Sequence, residues 1–141
     1  MNEKANTDLI LNMYDAFSKG DIQTILNHLS PDAEWTSPGP SIVPYFGTFR
    51  GREGVMKFFQ ALGGTQTNQK LTTEDLIAQG NKVVTVGRYA ADITATGKRV
   101  DTMICHVFTV EDGKVTRFLD FTDSAQVADA YSRVPTATAA R

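Results

Sequence analysis

The stretch KRVDTMICHVFTVEDGKVTRFLDFTD, residues 98–123, decides the fold. Successive side chains of a β-strand point to opposite faces of the sheet, and this stretch alternates in two runs on either side of Glu111-Asp112-Gly113. A short Gly-containing turn between two alternating runs is typical of an antiparallel hairpin. One face of the hairpin is rich in Ile, Phe and Val, yet it also carries His106 and Asp120.

His106 and Asp120 are the strongest functional candidates in the sequence. Pairing Val110 with Lys114 across the turn sets Ile104 opposite Asp120 and makes His106 a diagonal neighbour of Asp120. Their backbones are then roughly 7–8 Å apart, and their side chains can meet directly or through one water. A titratable pair among apolar side chains costs free energy unless it is hydrogen-bonded, so this pair indicates either a structural bond or a site.

The rest of the chain predicts an α+β domain. Apolar residues recur at helical spacing before residue 63, and the period changes to two from residue 70 onward. The predicted strands are separated by turn-like dipeptides at Gly80-Asn81, Thr96-Gly97 and Asp112-Gly113. Connections this short favour an antiparallel meander over parallel strands with crossover helices. The predicted strands are 70–78, 82–93, 98–110 and 114–122, with a short strand at 33–37.

Three helices are predicted before the sheet and one after it. Segment 41–50 is expected to be irregular and to fold over apolar surface. The first helix follows from an apolar repeat from Leu9 to Phe17 that stops at Gly20, and the second is capped by Asp21 and ended by Ser30-Pro31. The third runs from about 52 to 62 and is terminated by Gly63-Gly64. The last helix is capped by Asp123 or Ser124.

Composition narrows the function classes. A chain of 141 residues with one Cys fits a single domain, residues 1–132, followed by a disordered tail at 133–141. The net charge of -2 and the absence of a Lys/Arg run argue against a nucleic-acid partner. No apolar run approaches the ~20 residues that span a bilayer, so we expect a cytoplasmic protein without a membrane partner. Two His without a cluster at ligand spacing indicate no metal, and we expect no cofactor.

A register argument for the second hairpin adds a third polar residue to the His106 face. A turn at Ala95-Thr96-Gly97 sets Arg88 opposite Ile104, so that Arg88 and Asp120 lie in one row. A curved sheet covered by helices leaves a cavity, which is the default ligand site. We expect it to bind a small apolar ligand, with a lining of Trp35, Ser37, Phe46, Phe49, Phe58, Ile104 and Phe118.

The chemistry that suits this cavity is proton transfer next to a carbonyl group. Asp120 is the candidate general base, His106 its proton partner, Tyr14 an oxyanion donor and Arg88 an orienting charge. The structural alternative stays open, because a buried Arg–Asp pair is often only a satisfied ion pair. A single His in a strand is often structural too, and Tyr14 lies within the apolar stripe of the first helix.

The opposite face of the sheet is also largely apolar. Three or four helices can cover only one face, so the outer face is a candidate homodimer interface. The alternative is a sheet coiled so strongly that it covers part of itself. The residues assigned to this outer face are Val83, Thr85, Tyr89, Met103, Cys105, Val107, Leu119 and Phe121.

Four segments carry a family resemblance: YDAF at 14–17 with GD at 20–21, PDAEW at 31–35, FGTFRGREGV at 46–55 and HVFTVEDGKV at 106–115. They resemble SnoaL-like proteins of the nuclear transport factor 2-like (NTF2-like), ketosteroid isomerase-like superfamily. The resemblance covers roughly residues 7–131. It implies a cone-shaped NTF2-like (cystatin-like) fold, a curved antiparallel sheet with three to four helices on one face, and dimerisation.

Within this superfamily the resemblance implies several reactions, because members include isomerases, polyketide cyclases, dehydratases, epoxide hydrolases and non-catalytic domains. The oxyanion Tyr of ketosteroid isomerases matches Tyr14, but their general base falls at Ser37 and their second donor near Cys105 or His106. The Asp-Arg-Asp set of limonene epoxide hydrolases matches Arg88 and Asp120, but its second Asp falls at Ala90.

Polyketide cyclases of the SnoaL type use an Asp in the last strand with a nearby His, and Asp120 with His106 resembles that arrangement. The sequence therefore predicts a SnoaL-like protein that binds a small apolar carbonyl-containing molecule, as an isomerase or cyclase with Asp120 as general acid/base. The alternatives are a non-catalytic binding or dimerisation module of the same fold and an epoxide hydrolase-like enzyme.

Overall fold

Residues 2–134 are described by a computed structural model, and they form four helices and six strands. In chain order these are α1 (Glu3–Ser18), α2 (Ile22–Asn27), β1 (Leu29–Ser37), β2 (Gly47–Arg50), α3 (Gly51–Thr65), β3 (Gln66–Gln79), β4 (Lys82–Ile93), β5 (Arg99–Glu111), β6 (Lys114–Thr122) and α4 (Ser124–Tyr131).

The six strands form one curved sheet in the order β2-β1-β6-β5-β4-β3. Strands β3 to β6 are the antiparallel meander that the turn spacing predicts. The α+β class is confirmed, but the sheet is mixed rather than wholly antiparallel, because β1 lies parallel to β6. Within residues 2–134 the sheet is open, with β2 and β3 as its edges.

Three helix starts follow from side-chain caps. The Asn2, Asp21 and Asp123 side chains each accept a hydrogen bond from a backbone N–H in the first turn of α1, α2 and α4. Such bonds satisfy donors that a helix start leaves without an intrahelical partner. Gly20, at φ 70°, follows α1 in the left-handed conformation that commonly ends a helix.

Several predicted boundaries were wrong, including the starts of β1 and β3, which each begin four residues earlier than predicted. Helix α2 ends at Asn27, and Pro31 lies inside β1, where the pairing with β6 is irregular and needs no proline N–H. Gly63 and Gly64 do not terminate α3, which continues to Thr65. The apolar face of α3 is buried against the sheet, and this burial outweighs the ~1 kcal/mol that each helical Gly costs. Part of segment 41–50 forms β2.

The end of the described chain is attached to the β4–β5 turn. The Arg133 guanidinium donates to the Ala95 carbonyl, and the Lys98 ammonium donates to the Ser132 and Val134 carbonyls. The predicted disordered tail at 133–141 lies outside the described residues from residue 135 onward. Among residues 2–134, no helix has the length and apolar character needed to cross a membrane.

The register of both predicted hairpins differs from the sequence argument, through a bulge in β5–β6 and through a different turn pairing in the regular β4–β5 ladder. A bulge at Thr109/Val110 sets His106 directly opposite Asp120, so the pair is closer than the diagonal arrangement expected. On the other side of β5, Arg88 pairs with Met103, one residue away from the predicted partner Ile104. A shift of one residue moves a side chain to the other face of the sheet.

Gly87 is the glycine on which the β3–β4 pairing depends most. A Cβ at this position would lie 1.9 Å from the Thr72 carbonyl oxygen, and that oxygen is part of the backbone. We expect Gly87→Ala to lower the free energy of unfolding by at least about 2 kcal/mol, measured by urea denaturation. The matched control is Gly63→Ala, which meets nothing within 4 Å in α3 and should stabilise by about 0.5–1 kcal/mol. Equal stability of the two variants would contradict this.

Candidate functional site

A cavity of about 90 Å³ lies between the helices and the inner face of the sheet. Its walls are mostly aromatic and aliphatic. Among the described residues that line it, Asp120 is the only carboxylate, and none is Lys or Arg. The lining comprises Met13, Tyr14, Phe17, Ile25, Trp35, Tyr45, Phe58, Phe59, Leu62, Leu71, Tyr89, Ile104, His106, Phe108, Phe118, Asp120, Thr122 and Val127.

One polar chain crosses this apolar interior. The Tyr14 hydroxyl lies 2.5 Å from Thr85 Oγ1 and 2.7 Å from His106 Nδ1. The other ring nitrogen, His106 Nε2, is 3.2 Å from Asp120 Oδ1, and Ser37 Oγ donates to Asp120 Oδ2 at 3.1 Å. We call these five residues the polar chain. They come from α1, β4, β5, β6 and β1, so only the folded sheet brings them together.

The link between His106 and Asp120 is a close contact rather than a directed hydrogen bond. The distance of 3.2 Å is that of an ion pair, yet Asp120 Oδ1 is buried and has no hydrogen-bond partner of acceptable angle among the described residues. The angle decides, because a hydrogen bond weakens steeply when it is bent. Asp120 is therefore held on one oxygen by Ser37, while its other oxygen keeps an unused acceptor.

Burial keeps the Tyr14 hydroxyl protonated. Desolvation raises the Tyr14 pKa well above its ordinary value, the hydrogen bond with Thr85 lowers it, and the negative charge of Asp120 raises it further. A neutral phenol that accepts from Thr85 can donate its one proton to His106 Nδ1. In that arrangement Nε2 carries the imidazole proton and faces Asp120.

Most of the predicted site residues meet in this cavity. Asp120, His106 and Tyr14 line it together, as do four of the seven predicted binding residues, Trp35, Phe58, Ile104 and Phe118.

Three predicted lining residues lie behind the wall. Ser37 is fully buried and reaches Asp120 rather than the cavity, while Phe46 packs on Tyr45 and Phe49 on Phe58. Their roles are therefore to support the residues that line the cavity.

Arg88 does not belong to the site, and the prediction that it shares the His106 face was wrong. Its guanidinium lies on the outer face, exposed, and pairs with Asp101 at 3.1 Å. The register shift described above is the cause, because β4 is displaced by one residue against β5 relative to the sequence argument.

The same shift brings to the inner face three residues that the sequence argument placed outside. Val83 and Thr85 are buried there, and Tyr89 lines the cavity. Thr85 is thus a site residue that the sequence argument missed, although its spacing from Tyr89 puts the two on one face of β4. Tyr45 was missed as well, because it lies in an irregular loop that gives no periodic signal.

Comparison with known proteins finds relatives over most of the chain. Residues 10–118 match the model of a SnoaL-like domain. The uncharacterized protein Rv0034 of Mycobacterium tuberculosis is 30% identical over 126 residues, which cover 86% of this chain and 91% of that protein.

Two solved structures are similar as well. An NTF2-like protein of unknown function from Burkholderia pseudomallei is 26% identical with a TM-score of 0.85, over 94% of this chain and 99% of that one. TerC, co-crystallised with polyporic acid, is 28% identical with a TM-score of 0.82, over 90% and 98% of the two chains.

The four tyrosines make the fold sensitive to alkaline pH. Burial is the main cause that raises the pKa of Tyr14, Tyr45, Tyr89 and Tyr131 above the ordinary value of 10.0. Unfolded tyrosines ionise near pH 10 while the folded ones stay protonated, so their contribution to stability is complete below pH 10 and is lost as pH rises above it. We expect the free energy of unfolding to fall by up to ~1.4 kcal/mol per pH unit for each of Tyr14, Tyr45 and Tyr89, and by less for half-buried Tyr131, whose charge solvent screens.

Urea denaturation at pH 7, 9, 10 and 11 measures this loss. Tyr14→Phe should make the alkaline slope less steep by about one tyrosine's share, whatever its effect on stability at pH 7. A free energy of unfolding that stays constant from pH 9 to pH 11 would contradict the account.

Proposed function

Because this chain belongs to the family of SnoaL-like domains, we propose that it binds a small apolar carbonyl compound in its cavity and transfers a proton next to the carbonyl, as an isomerase or cyclase. The observation that carries the proposal is the polar chain inside an aromatic cavity. A carboxylate with one unused oxygen, an imidazole and a phenol line the same small space.

The aromatic walls of the cavity support an apolar, carbonyl-bearing ligand. Trp35 stacks on Phe118 with ring centroids 3.9 Å apart, and Phe58 and Phe59 each lie 5.7 Å from Trp35. Such walls bind flat apolar molecules through area burial and ring contacts. TerC, whose structure is similar to that of this chain, was co-crystallised with polyporic acid.

Asp120 suits the role of general base. Its carboxylate would remove the proton from the carbon next to the carbonyl, and the C–H electron pair would form an enolate whose charge rests on oxygen. In an isomerase the proton returns to another carbon, whereas in a cyclase the enolate carbon attacks a second carbonyl of the same molecule and the alkoxide formed there takes the proton back from Asp120. Ser37 holds the carboxylate through both steps.

Tyr14 and His106 suit the complementary roles. The Tyr14 hydroxyl is neutral, and by turning its proton from His106 Nδ1 to the ligand it would donate to the developing oxyanion. Thr85 keeps a bond to Tyr14 during that turn. His106 lies between the oxyanion donor and the base, with Nδ1 hydrogen-bonded to Tyr14 and Nε2 in close contact with Asp120.

The epoxide hydrolase alternative requires an Arg in the site, whereas Arg88 is bonded to Asp101 on the outer face. The non-catalytic alternative keeps the same fold and cavity and differs in chemistry alone. A structural carboxylate would be locked in a pair with Arg88, whereas Arg88 lies on the outer face and Asp120 lines the cavity, and this difference favours catalysis.

Exchange of α-protons with solvent tests the chemistry without knowledge of the natural substrate. The parent protein should accelerate deuterium incorporation, followed by ¹H NMR, into at least one of a panel of cyclic and aryl ketones in D₂O. Asp120→Asn keeps the size of the side chain and should lower the exchange rate at least about 100-fold. Arg88→Gln, a change on the outer face, is the control and should leave the rate within about twofold.

Trp35, the one tryptophan of the chain, lets its fluorescence report binding in the same samples. Equal exchange by Asp120→Asn and the parent would remove Asp120 from the mechanism. Ketone binding without any exchange by the parent would leave the non-catalytic binding module as the function.

We also propose that the outer sheet face forms a homodimer. Met103 and Phe121 lie on it with 58% and 47% of their surface exposed, next to half-buried Cys105, Val107 and Leu119. Neighbouring apolar side chains of this size on an uncovered face favour an isologous contact, in which each copy presents the same patch.

Light scattering coupled to size exclusion tests the dimer. Phe121→Glu should convert the protein to a monomer, because the interface would bury an unpaired charge from each copy. Leu11→Glu is the matched control, since Leu11 on α1 has the same 47% exposure as Phe121 but lies far from the outer face. A monomeric parent, or a dimer that survives Phe121→Glu, would contradict the proposal.

A further inference from the structure

The cavity that contains Tyr14, His106 and Asp120 is smaller than one aromatic ring requires. Its volume is about 90 Å³. An apolar protein cavity that takes up one benzene molecule has a volume of about 150 Å³. A carbonyl-bearing ring can therefore place only its reacting end here, and the rest of the ligand must extend beyond this space.

A second cavity adjoins the first one. It has a volume of about 370 Å³, within the range of small-molecule sites, and lies between the end of α1 and the first half of β3. Tyr14, Phe17 and Leu71 line both cavities, so these three side chains stand between the two spaces. A ligand that occupied both spaces would have to pass these side chains.

The second cavity differs from the first in chemistry. Beyond the three shared side chains, its lining is polar or glycine: Ser18, Gly20, Gln69, Lys70 and Thr73. Hydroxyl and ammonium groups of this kind donate hydrogen bonds to oxygen atoms, while the Gln69 amide already donates to the Tyr89 hydroxyl. Among residues 2–134, Lys70 forms no ion pair, so its charge is not used by a neighbouring carboxylate.

We infer that the second cavity is a subsite for an oxygen-bearing tail of the ligand. The natural ligand is then amphipathic, with an apolar carbonyl-bearing head in the first cavity and a tail of hydroxyl, ether or carboxylate groups beside Gln69, Lys70 and Thr73. This inference rests on the proposed function and specifies its ligand class. It also gives Tyr14 a second role, because a ligand that spans both cavities lies against the Tyr14 ring.

Three ketone probes with one head and different tails test the subsite. They are acetophenone, 4′-butylacetophenone and 4′-(2-hydroxyethoxy)acetophenone, and isothermal titration calorimetry gives each Kd. The hydroxyethoxy probe should bind the parent about tenfold more tightly than either of the other two, the effect of one or two added hydrogen bonds.

Ser18→Phe tests the location. Ser18 is exposed at the end of α1, and a phenyl group there occupies part of the second cavity. The ratio between the acetophenone and hydroxyethoxy Kd values should fall from about ten to about one. Asn12→Phe adds the same ring to an exposed position of α1 outside both cavities and should keep the ratio of the parent.

The outcomes separate the two proposals. Equal binding of all three probes by the parent, or a butyl tail that binds as tightly as the hydroxyethoxy tail, would overturn the subsite and leave the proposed function standing. A ratio that survives Ser18→Phe would do the same. Failure of acetophenone itself to bind would overturn the proposed function, and the subsite with it.

Discussion

The structure depends on the pairing of His106 with Asp120 across β5 and β6. Two titratable side chains are placed opposite each other on the inner face of the sheet, among aromatic rings, with only 11% and 13% of their side-chain surfaces exposed. The other three residues of the polar chain hold this pair through hydrogen bonds, directly or through Tyr14. Ser37 holds one carboxylate oxygen and Tyr14 occupies the far nitrogen of the imidazole, with Thr85 behind it. The helices that supply Tyr14 and close the cavity are therefore part of the same polar arrangement.

Much of the fold could be predicted from the sequence because its signals are local. The change of period from 3.6 to two marks the change from helices to sheet, and Asp21, Asp123 and Gly20 mark helix ends through bonds and conformations of their own. Gly63 and Gly64 show the limit of that method. Their propensity disfavours a helix, but α3 is held by packing against residues distant in the sequence, which no local signal records.

The site was predicted in part, and strand register explains most of what was missed. The shared face of His106 and Asp120 follows from alternation alone, whereas their direct opposition depends on the bulge at Thr109/Val110. The prediction for Arg88 was wrong for a related reason. A difference of one residue in the register between β4 and β5 places its side chain on the other face of the sheet. Its loss changes the chemistry of the cavity from a charge-balanced pair to a single carboxylate among apolar walls. Tyr45 comes from a loop whose path is set by tertiary contacts, so periodicity could not place it.

Strand β3 shows what the open edge of this sheet requires. It runs for 14 residues along one border of the sheet, and an unpaired border of this length offers its amides to any other extended chain. Its pairing with β4 is interrupted at Thr67/Lys70 and again at Thr73/Asp75, and Lys70, Glu74 and Asp75 are exposed along it. Kinks and charges of this kind deter edge-to-edge aggregation, and they let a crowded cell hold many copies of this protein without their fusing into fibrils.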